Sequence, residues 1–154
     1  MSLIERLGKD YRNLPDILLE YEKGLAEELI APRLKITGKN LEAANAEHAS
    51  WQLYYESRKA DLSSLVKFFE AKTAAARGQL FKTYTEKYSR ELSDRQKDKY
   101  IDNEPKYLEQ FEIYLEIKEI HTKYEAVCNA FQSRGYALNN ITKIRVASLE
   151  SVII

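Results

Sequence analysis

Two long stretches of the chain repeat apolar residues at alternating spacings of three and four, the period of a helix that buries one face. The first covers about residues 40–88, and the second begins after the turn at 103–105. Each pattern predicts a long helix, with Gly78 as the expected kink in the first. The repeating positions are Leu41, Ala44, His48, Trp51, Tyr55, Arg58, Leu62, Leu65, Phe69, Lys72 and Ala76, then Ile113, Ile117, Ile120, Tyr124, Val127 and Phe131.

Shorter helices are marked by residues that start and stop helices. Asn13 before Leu14-Pro15 predicts a helix start, and the apolar period that follows predicts one helix ending near Pro32. Residues 31–40 contain Pro32 and Gly38, which is typical of a connector. Ser93 and Gln96 have the spacing of a capping box and predict another short helix.

The C-terminal segment begins at Arg134-Gly135, where the pattern predicts the end of the second long helix. Glycine is favoured just after a helix, and a cation is favoured in the last turn. A short final helix is then expected after Asn139 or Asn140. We predict a helical bundle over residues 1–133 and an oligomerisation element over 134–154, with the apolar tail "SVII" as part of a partner surface.

Composition supports an all-α fold, an elongated bundle with long helices resembling those of coiled coils. The 154 residues include only 5 Gly and 3 Pro, and they fit one ordinary domain. The single cysteine, Cys128, is expected to be a small buried hydrophobe in a reducing compartment. No stretch approaches the roughly 20 apolar residues of a membrane span, so we expect a soluble intracellular protein without a membrane partner.

Charge is segregated along the chain although the formal net charge is zero. Residues 58–99 carry 11 Lys and Arg against 6 Asp and Glu, whereas residues 100–126 carry 3 against 7. Such a distribution fits either a footprint for a polyanion or complementary helices that pair in a bundle or oligomer. Both explanations remain open at this level.

No constellation of catalytic residues is visible in the sequence. His48 and His121 are far apart and lie on apolar helical stripes, without the spacing of a zinc site. No glycine-rich phosphate loop of a nucleotide-binding type is present. We therefore expect no enzyme activity, no cofactor and no metal.

Cations border an aromatic stripe in the central segment. At 100° per residue, Arg58, Lys72 and Lys87 fall beside the face that carries Trp51 and Phe69. Cations neutralise phosphates and aromatic rings stack on bases, so this combination suits single-stranded nucleic acid, with Tyr54, Phe81, Tyr84 and Tyr88 available for stacking. The alternative is that the rings form the core and the cations pair with the acidic helix. The candidate cations are Arg58, Lys59, Lys67, Lys72, Arg77, Lys82, Lys87 and Arg134.

The segment "SRGYALNNITKIR" resembles the C-terminal signature of the UvsY family, the recombination mediators of T-even-type phages. The order of "LAEEL", "EAAN" at 42–45, the aromatic residues around Trp51 and "EA" at 70–71 is also similar to that family. The resemblance covers about residues 25–149. It departs from the family pattern at "KTAAARGQLFK", which has fewer cations and contains a glycine.

This resemblance implies a mediator that binds single-stranded DNA, loads a RecA-like recombinase and helps to displace the single-strand binding protein. It further implies a ring-like homo-oligomer of about six or seven subunits, in the cytoplasm of an infected bacterium. The alternative function is a structural or scaffolding oligomer, such as a virion or assembly protein, without DNA binding. The family's assembly element corresponds to Tyr136, Leu138, Ile141, Ile144 and Val146, and Leu149 continues it.

Overall fold

The computed structural model describes residues 3–7, 11–88 and 90–150, which form six helices and no strand. The prediction of an all-α bundle is confirmed, and the two long helices pack against each other in antiparallel directions. None of the described helices is long and apolar enough to cross a membrane. The helices are α1 (Leu3–Arg6), α2 (Leu14–Lys23), α3 (Glu27–Leu34), α4 (Leu41–Glu86), α5 (Asp94–Ile101) and α6 (Pro105–Glu150).

The starts of the long helices agree with the sequence pattern. Helix α4 begins one residue after Asn40 and ends near the predicted position, and α6 begins at Pro105. Ser93 and Gln96 form the predicted capping box at the start of α5. Gly78 lies within α4, where a Cβ atom would meet nothing within 4 Å.

One compact unit, here called unit 1, contains Met1–Arg12 and Asp61–His121. Its core packs one face of α4 against α5 and α6 because their apolar residues recur at helical spacing. The α4 stripe shifts by one position near its end: Thr73 is buried and donates to the Gln110 carbonyl at 3.3 Å, whereas Lys72 is exposed. The buried core side chains of these helices are Leu62, Leu65, Phe69, Ile101, Ile117 and Ile120.

The other compact unit, unit 2, contains Asn13–Ala60 and Thr122–Ile154. Its core is aromatic: the rings of Tyr55 and Phe131 stack with centroids 5.1 Å apart. The buried Tyr124 hydroxyl donates to the Tyr21 carbonyl at 2.9 Å, which gives this phenol a hydrogen-bond partner. A smaller apolar cluster joins Leu41, Ala44 and Leu138, with Ile36 packed against it.

The prediction that Gly135 ends a helix is wrong, because α6 continues through it to Glu150. A Cβ atom at this position would lie 2.7 Å from His48 Nε2. The glycine therefore allows the imidazole to approach the α6 backbone. In the sequence, a glycine needed for such a close contact cannot be distinguished from a glycine that ends a helix. The assignment of Arg134 as a C-terminal cap is wrong for the same reason. The assembly role of 134–154 stays a prediction, and the tail at 151–154 lies outside the described residues.

The prediction of a single helix from Asn13 to Pro32 is also wrong, because this segment contains two helices, α2 and α3. Helix α2 ends at Lys23, the N–H group of the capping Gly24 donates to the Glu20 carbonyl, and Ala26 has an extended ψ of 131°. A Cβ atom at Gly24 would lie 2.7 Å from the Tyr124 hydroxyl oxygen. The small residue thus leaves space for the tyrosine that joins α6 to α2.

Candidate nucleic-acid interface

In unit 2, the guanidinium of Arg58 contacts neighbouring side chains of the same chain. It donates to Glu20 at 3.2 Å, and its guanidinium lies 4.7 Å from the ring of Tyr21 and 5.1 Å from that of Tyr54. These contacts combine an ion pair with cation–π interactions. Arg58 thereby contributes to the packing of α2 against α4.

Lys59, the adjacent cation on α4, pairs with Glu56 at 2.5 Å. The hydrogen bond to that carboxylate raises the pKa of Lys59. The pair lies one turn apart on a single helix, so the positive charge of Lys59 is largely balanced locally.

In unit 1, Arg77 bridges α4 and α5. Its guanidinium donates to Asp102 at 2.8 Å and to Asp98 at 2.9 Å, and it lies over the ring of Tyr107 at 5.4 Å. The hydrogen bonds to the two carboxylates raise the pKa of this arginine. The charge of Arg77 is thus balanced by carboxylates of the same chain. This is the result expected if the cations of the basic segment pair with acidic residues within the bundle.

Arg134 is 6% exposed within unit 2. It donates to the Ala44 carbonyl at 3.1 Å and to the Leu34 carbonyl at 3.3 Å, and its Nη1 atom lies 3.0 Å from His48 Nδ1. Burial lowers the pKa of this arginine. A contact between Arg134 and DNA would require these bonds to break, and we leave this residue out of the interface.

The remaining candidate cations, Lys67, Lys72, Lys82 and Lys87, are exposed in unit 1. Lys82 lies 3.9 Å from Glu86, a separation at the limit of an ion pair between two exposed side chains. The Nζ atom of Lys72 lies 5.5 Å from the ring centroid of Phe68. Three of these lysines remain accessible to solvent along α4 and Lys87 just after its end, so all four are available to phosphates.

Three tyrosines form an exposed cluster in unit 1, here called the tyrosine cluster: Tyr84, Tyr88 and Tyr100. Their ring centroids are 5.7–6.0 Å apart, and the rings of Tyr84 and Tyr100 stack at 22°. Tyr88 and Tyr100 are 45% and 46% exposed. The Tyr84 hydroxyl donates to Glu104, which raises its pKa to about 12. About half of the Tyr88 and Tyr100 side chains is thus open to solvent.

Tyr84 and Tyr88 are among the stacking candidates predicted from the sequence, whereas Tyr100 is not. Tyr84 lies in the last turn of α4 and Tyr88 follows two residues after its end, whereas Tyr100 comes from α5 and joins them through tertiary packing. The capping box at the start of α5 was the available signal that this segment is helical. Exposed cations flank the cluster in the chain, namely Lys87 and Arg90 beside Tyr88 and Lys99 beside Tyr100.

The predicted assembly residues of α6 divide between two environments. Leu138 is 2% exposed because it packs on Leu41 and Ala44 of its own chain, so its prediction as a contact between subunits is corrected. The others are exposed, and Ile144 reaches 67%. Such an apolar surface is typical of an interaction site. The exposed members are Tyr136, Ile141, Ile144, Val146 and Leu149.

The described residues hold no group of three or more His, Cys, Asp or Glu side chains that would bind a metal. Ser63 Oγ lies 2.9 Å from His121 Nε2, a pair that joins α4 to α6. Burial raises the pKa of Cys128 to about 11, which keeps this thiol protonated and unreactive. The expected absence of enzyme activity stays a prediction.

No family model matches the chain, and no curated protein or solved structure matches it.

A pH dependence of stability is expected from His48. Arginine can only donate, so His48 Nδ1 accepts the hydrogen bond from Arg134 and must be unprotonated. Burial and the nearby positive charge lower the pKa of His48. The unfolded chain therefore binds this proton more readily, and the contribution of His48 is present above about pH 6.5 and is lost as the pH falls through the folded pKa.

Urea unfolding at pH 7.5 and 5.5, followed by circular dichroism, measures this dependence. His48→Gln retains a neutral side chain without the titration, so its loss of stability on acidification should be smaller than that of the wild type. Equal losses in both proteins would show that His48 is not responsible.

Proposed function

We propose that the protein binds single-stranded DNA and acts as a homo-oligomeric recombination mediator. In this role it promotes the loading of a RecA-like recombinase and the displacement of the single-strand binding protein. The observation that carries the DNA-binding part is the tyrosine cluster with its exposed cations. The role in recombination rests on the resemblance of residues 25–149 to the UvsY family, as does its place in the cytoplasm of an infected bacterium.

The chemistry of the tyrosine cluster suits a strand without a defined sequence. Tyr88 and Tyr100 offer ring faces on which any base can stack, and each such contact contributes about 1–3 kcal/mol. Lys87 and Lys99 are next to them in the chain and can neutralise phosphates. Paired strands hide their base faces, so this surface favours single strands.

Assembly would multiply a weak contact. One cluster with a few cations binds one short stretch of DNA, but linked copies raise the effective concentration of each further site. Avidity in a ring of about six subunits can exceed the affinity of one subunit by factors of about 10²–10⁴ when the sites engage one strand together. A strand held at many weak contacts can be released stepwise to a recombinase.

The second candidate function is a scaffolding oligomer without DNA binding. It is favoured by the internal partners of Arg58, Lys59, Arg77 and Arg134, which account for half of the cations first assigned to DNA. In that case the charge segregation serves packing, and the tyrosine cluster contacts another subunit. The two functions differ in their response to an oligonucleotide.

Fluorescence anisotropy with a short labelled oligothymidine tests the proposal. Tyr88→Ala should weaken binding about tenfold, because about 1.4 kcal/mol of stacking is lost, and the double variant with Tyr100→Ala should weaken it further. Lys87→Gln should reduce the salt dependence by about 0.7 in the slope of log K against log salt.

Tyr88→Phe is the matched control, since it keeps the ring face and should bind as the wild type does. Leu53→Ala removes an exposed apolar side chain from unit 2 and should have no effect on binding. Wild-type protein that leaves the anisotropy unchanged at low salt would refute DNA binding and favour the scaffold. Equal affinity of Tyr88→Ala and wild type would remove the tyrosine cluster from the interface.

A further inference from the structure

Unit 1 contains an aromatic groove along α4 and α6. One part, of about 200 Å³, is lined by Glu70, Thr73 and Ala74 on α4 and by aromatic residues of α6. A second part, of about 400 Å³, continues along α4 and shares Ala74 and Arg77 with the first. The aromatic groove therefore extends over the α4 surface from Glu70 to Phe81.

One wall of this groove is aromatic, and Glu70, Thr73 and Arg77 on α4 also line it. Tyr107, Phe111 and Tyr114 follow one another on a single face of α6, with ring centroids 5.8 and 6.2 Å apart and small interplanar angles. On the opposite side, Ala74 and Gly78 leave space because they have almost no side chain. A groove with an aromatic wall and a floor of small residues suits the apolar face of a helix.

A helix face of suitable character lies at the end of α6 in unit 2, and we call it the C-terminal stripe. Four of its residues recur at spacings of four, four and three and share one side of the helix, and Ile141 lies at the edge of that side. The opposite side is used by the same chain: Leu138 is buried, Thr142 contacts Asn45 at 3.4 Å, and Arg145 donates to the Gly38 carbonyl at 3.2 Å. The C-terminal stripe consists of Tyr136, Asn140, Ile141, Ile144 and Ala147.

The aromatic groove and the C-terminal stripe correspond in length. Glu70 to Phe81 and Tyr136 to Ala147 are each eleven residues apart, which is about 16 Å along a helix. Large apolar side chains of the stripe, such as Ile144, would face the small residues of the groove floor. Each surface would thereby cover apolar atoms that otherwise contact water.

Charge complementarity lies on the α6 side of the groove. That wall belongs to residues 100–126, which carry 3 Lys and Arg against 7 Asp and Glu, whereas the α4 wall belongs to the basic segment 58–99. Glu70 on the groove forms no ion pair within the part of the chain that the structure describes, and the charge of Arg77 is balanced by Asp98 and Asp102. Residues 136–149 contain two cations and no acid, and one of them, Lys143, borders the stripe.

We propose that the aromatic groove of one copy receives the C-terminal stripe of a second copy. This inference rests on the homo-oligomer of the proposed function and names the two surfaces that form it. Because the surfaces differ, the contact is heterologous, and each bound copy presents a further groove and a further stripe. Repetition of one such contact gives a ring when its rotation closes, without a second kind of interface.

Chemical cross-linking without DNA tests this contact. Ala74→Cys and Ile144→Cys are introduced on separate chains in which Cys128→Ala leaves no other cysteine, and the two chains are expressed together. A short bis-maleimide should link the co-expressed chains into a covalent dimer. When either variant is expressed alone, its copies should give at most background linkage, because the proposed contact brings residue 74 of one copy to residue 144 of another and each variant has a thiol at only one of these positions.

Two controls define the interface further. Leu53→Cys, which is exposed elsewhere in unit 2, should not link to Ile144→Cys. Lys143→Glu should reduce the yield of linked dimer and shift sedimentation toward smaller species, because it places an acid against an acidic surface.

Three outcomes would overturn the proposal. The chain with Ile144→Cys linking to itself would show a stripe-to-stripe contact, and failure of the mixed pair to link in an assembled protein would show another interface. Sedimentation of the wild type as a monomer would exclude any contact between copies. The Tyr88→Ala variant should cross-link as well as its parent, so loss of DNA binding and loss of this contact can be told apart.

Discussion

Replacing Arg134 by methionine is expected to destabilise unit 2 by about 3 kcal/mol. The guanidinium donates to the Leu34 carbonyl, which lies in the last turn of α3 and lacks a donor from its own helix. It also bonds to the Ala44 carbonyl and to His48. Methionine restores much of the volume but none of the donors, so buried acceptors remain without partners.

Urea unfolding followed by circular dichroism measures this loss, with Arg134→Lys as the matched control. Lysine keeps the charge but lacks the planar guanidinium that donates to several acceptors at once. It should therefore recover only part of the lost free energy of unfolding. Where Arg134→Met remains folded, its salt dependence of DNA binding should equal that of the wild type. Unchanged stability together with a reduced salt slope would instead assign Arg134 to the DNA interface.

The helical fold was predictable because its signals are local. Apolar periodicity, the proline at the start of α6 and the capping box at Ser93 act within a few residues and identify three of the helices. Gly135 was misread because the local signal of a helix stop is the same as that of a close contact. His48 lies 87 positions earlier in the chain, and only the folded structure brings its ring to this glycine.

The candidate interface was predictable only in part for a similar reason. Counting cations identifies the basic segment, but it cannot tell which of them have partners from distant positions. Arg77 pairs with carboxylates on α5 and just after it, and Arg134 donates to carbonyls 90 and 100 positions away. Tyr100 joins Tyr84 across two helices in the same way. The exposed lysines of α4, together with Lys87 just after it, are the candidate cations that remain once these long-range contacts are known.

Replacing Gly135 by alanine is expected to destabilise the protein by about 1 kcal/mol, although alanine is the better helix former by nearly that amount. The added methyl group would lie 2.7 Å from His48 Nε2, so the imidazole must move. That movement weakens its hydrogen bond with Arg134, which is 3.0 Å long. Gly78→Ala is the matched control: the same change in open space on α4 should stabilise by up to about 1 kcal/mol.

A double-mutant cycle separates the clash from the helix preference. In a His48→Ala background the imidazole is absent, so Gly135→Ala should become stabilising and resemble Gly78→Ala. The coupling free energy from urea unfolding of the four proteins should therefore reach about 2 kcal/mol, within the range for residues in contact. Additive effects of the two substitutions would show that the role of Gly135 does not depend on His48. Strong coupling would establish that this glycine holds α6 against α4 through the space it leaves for His48.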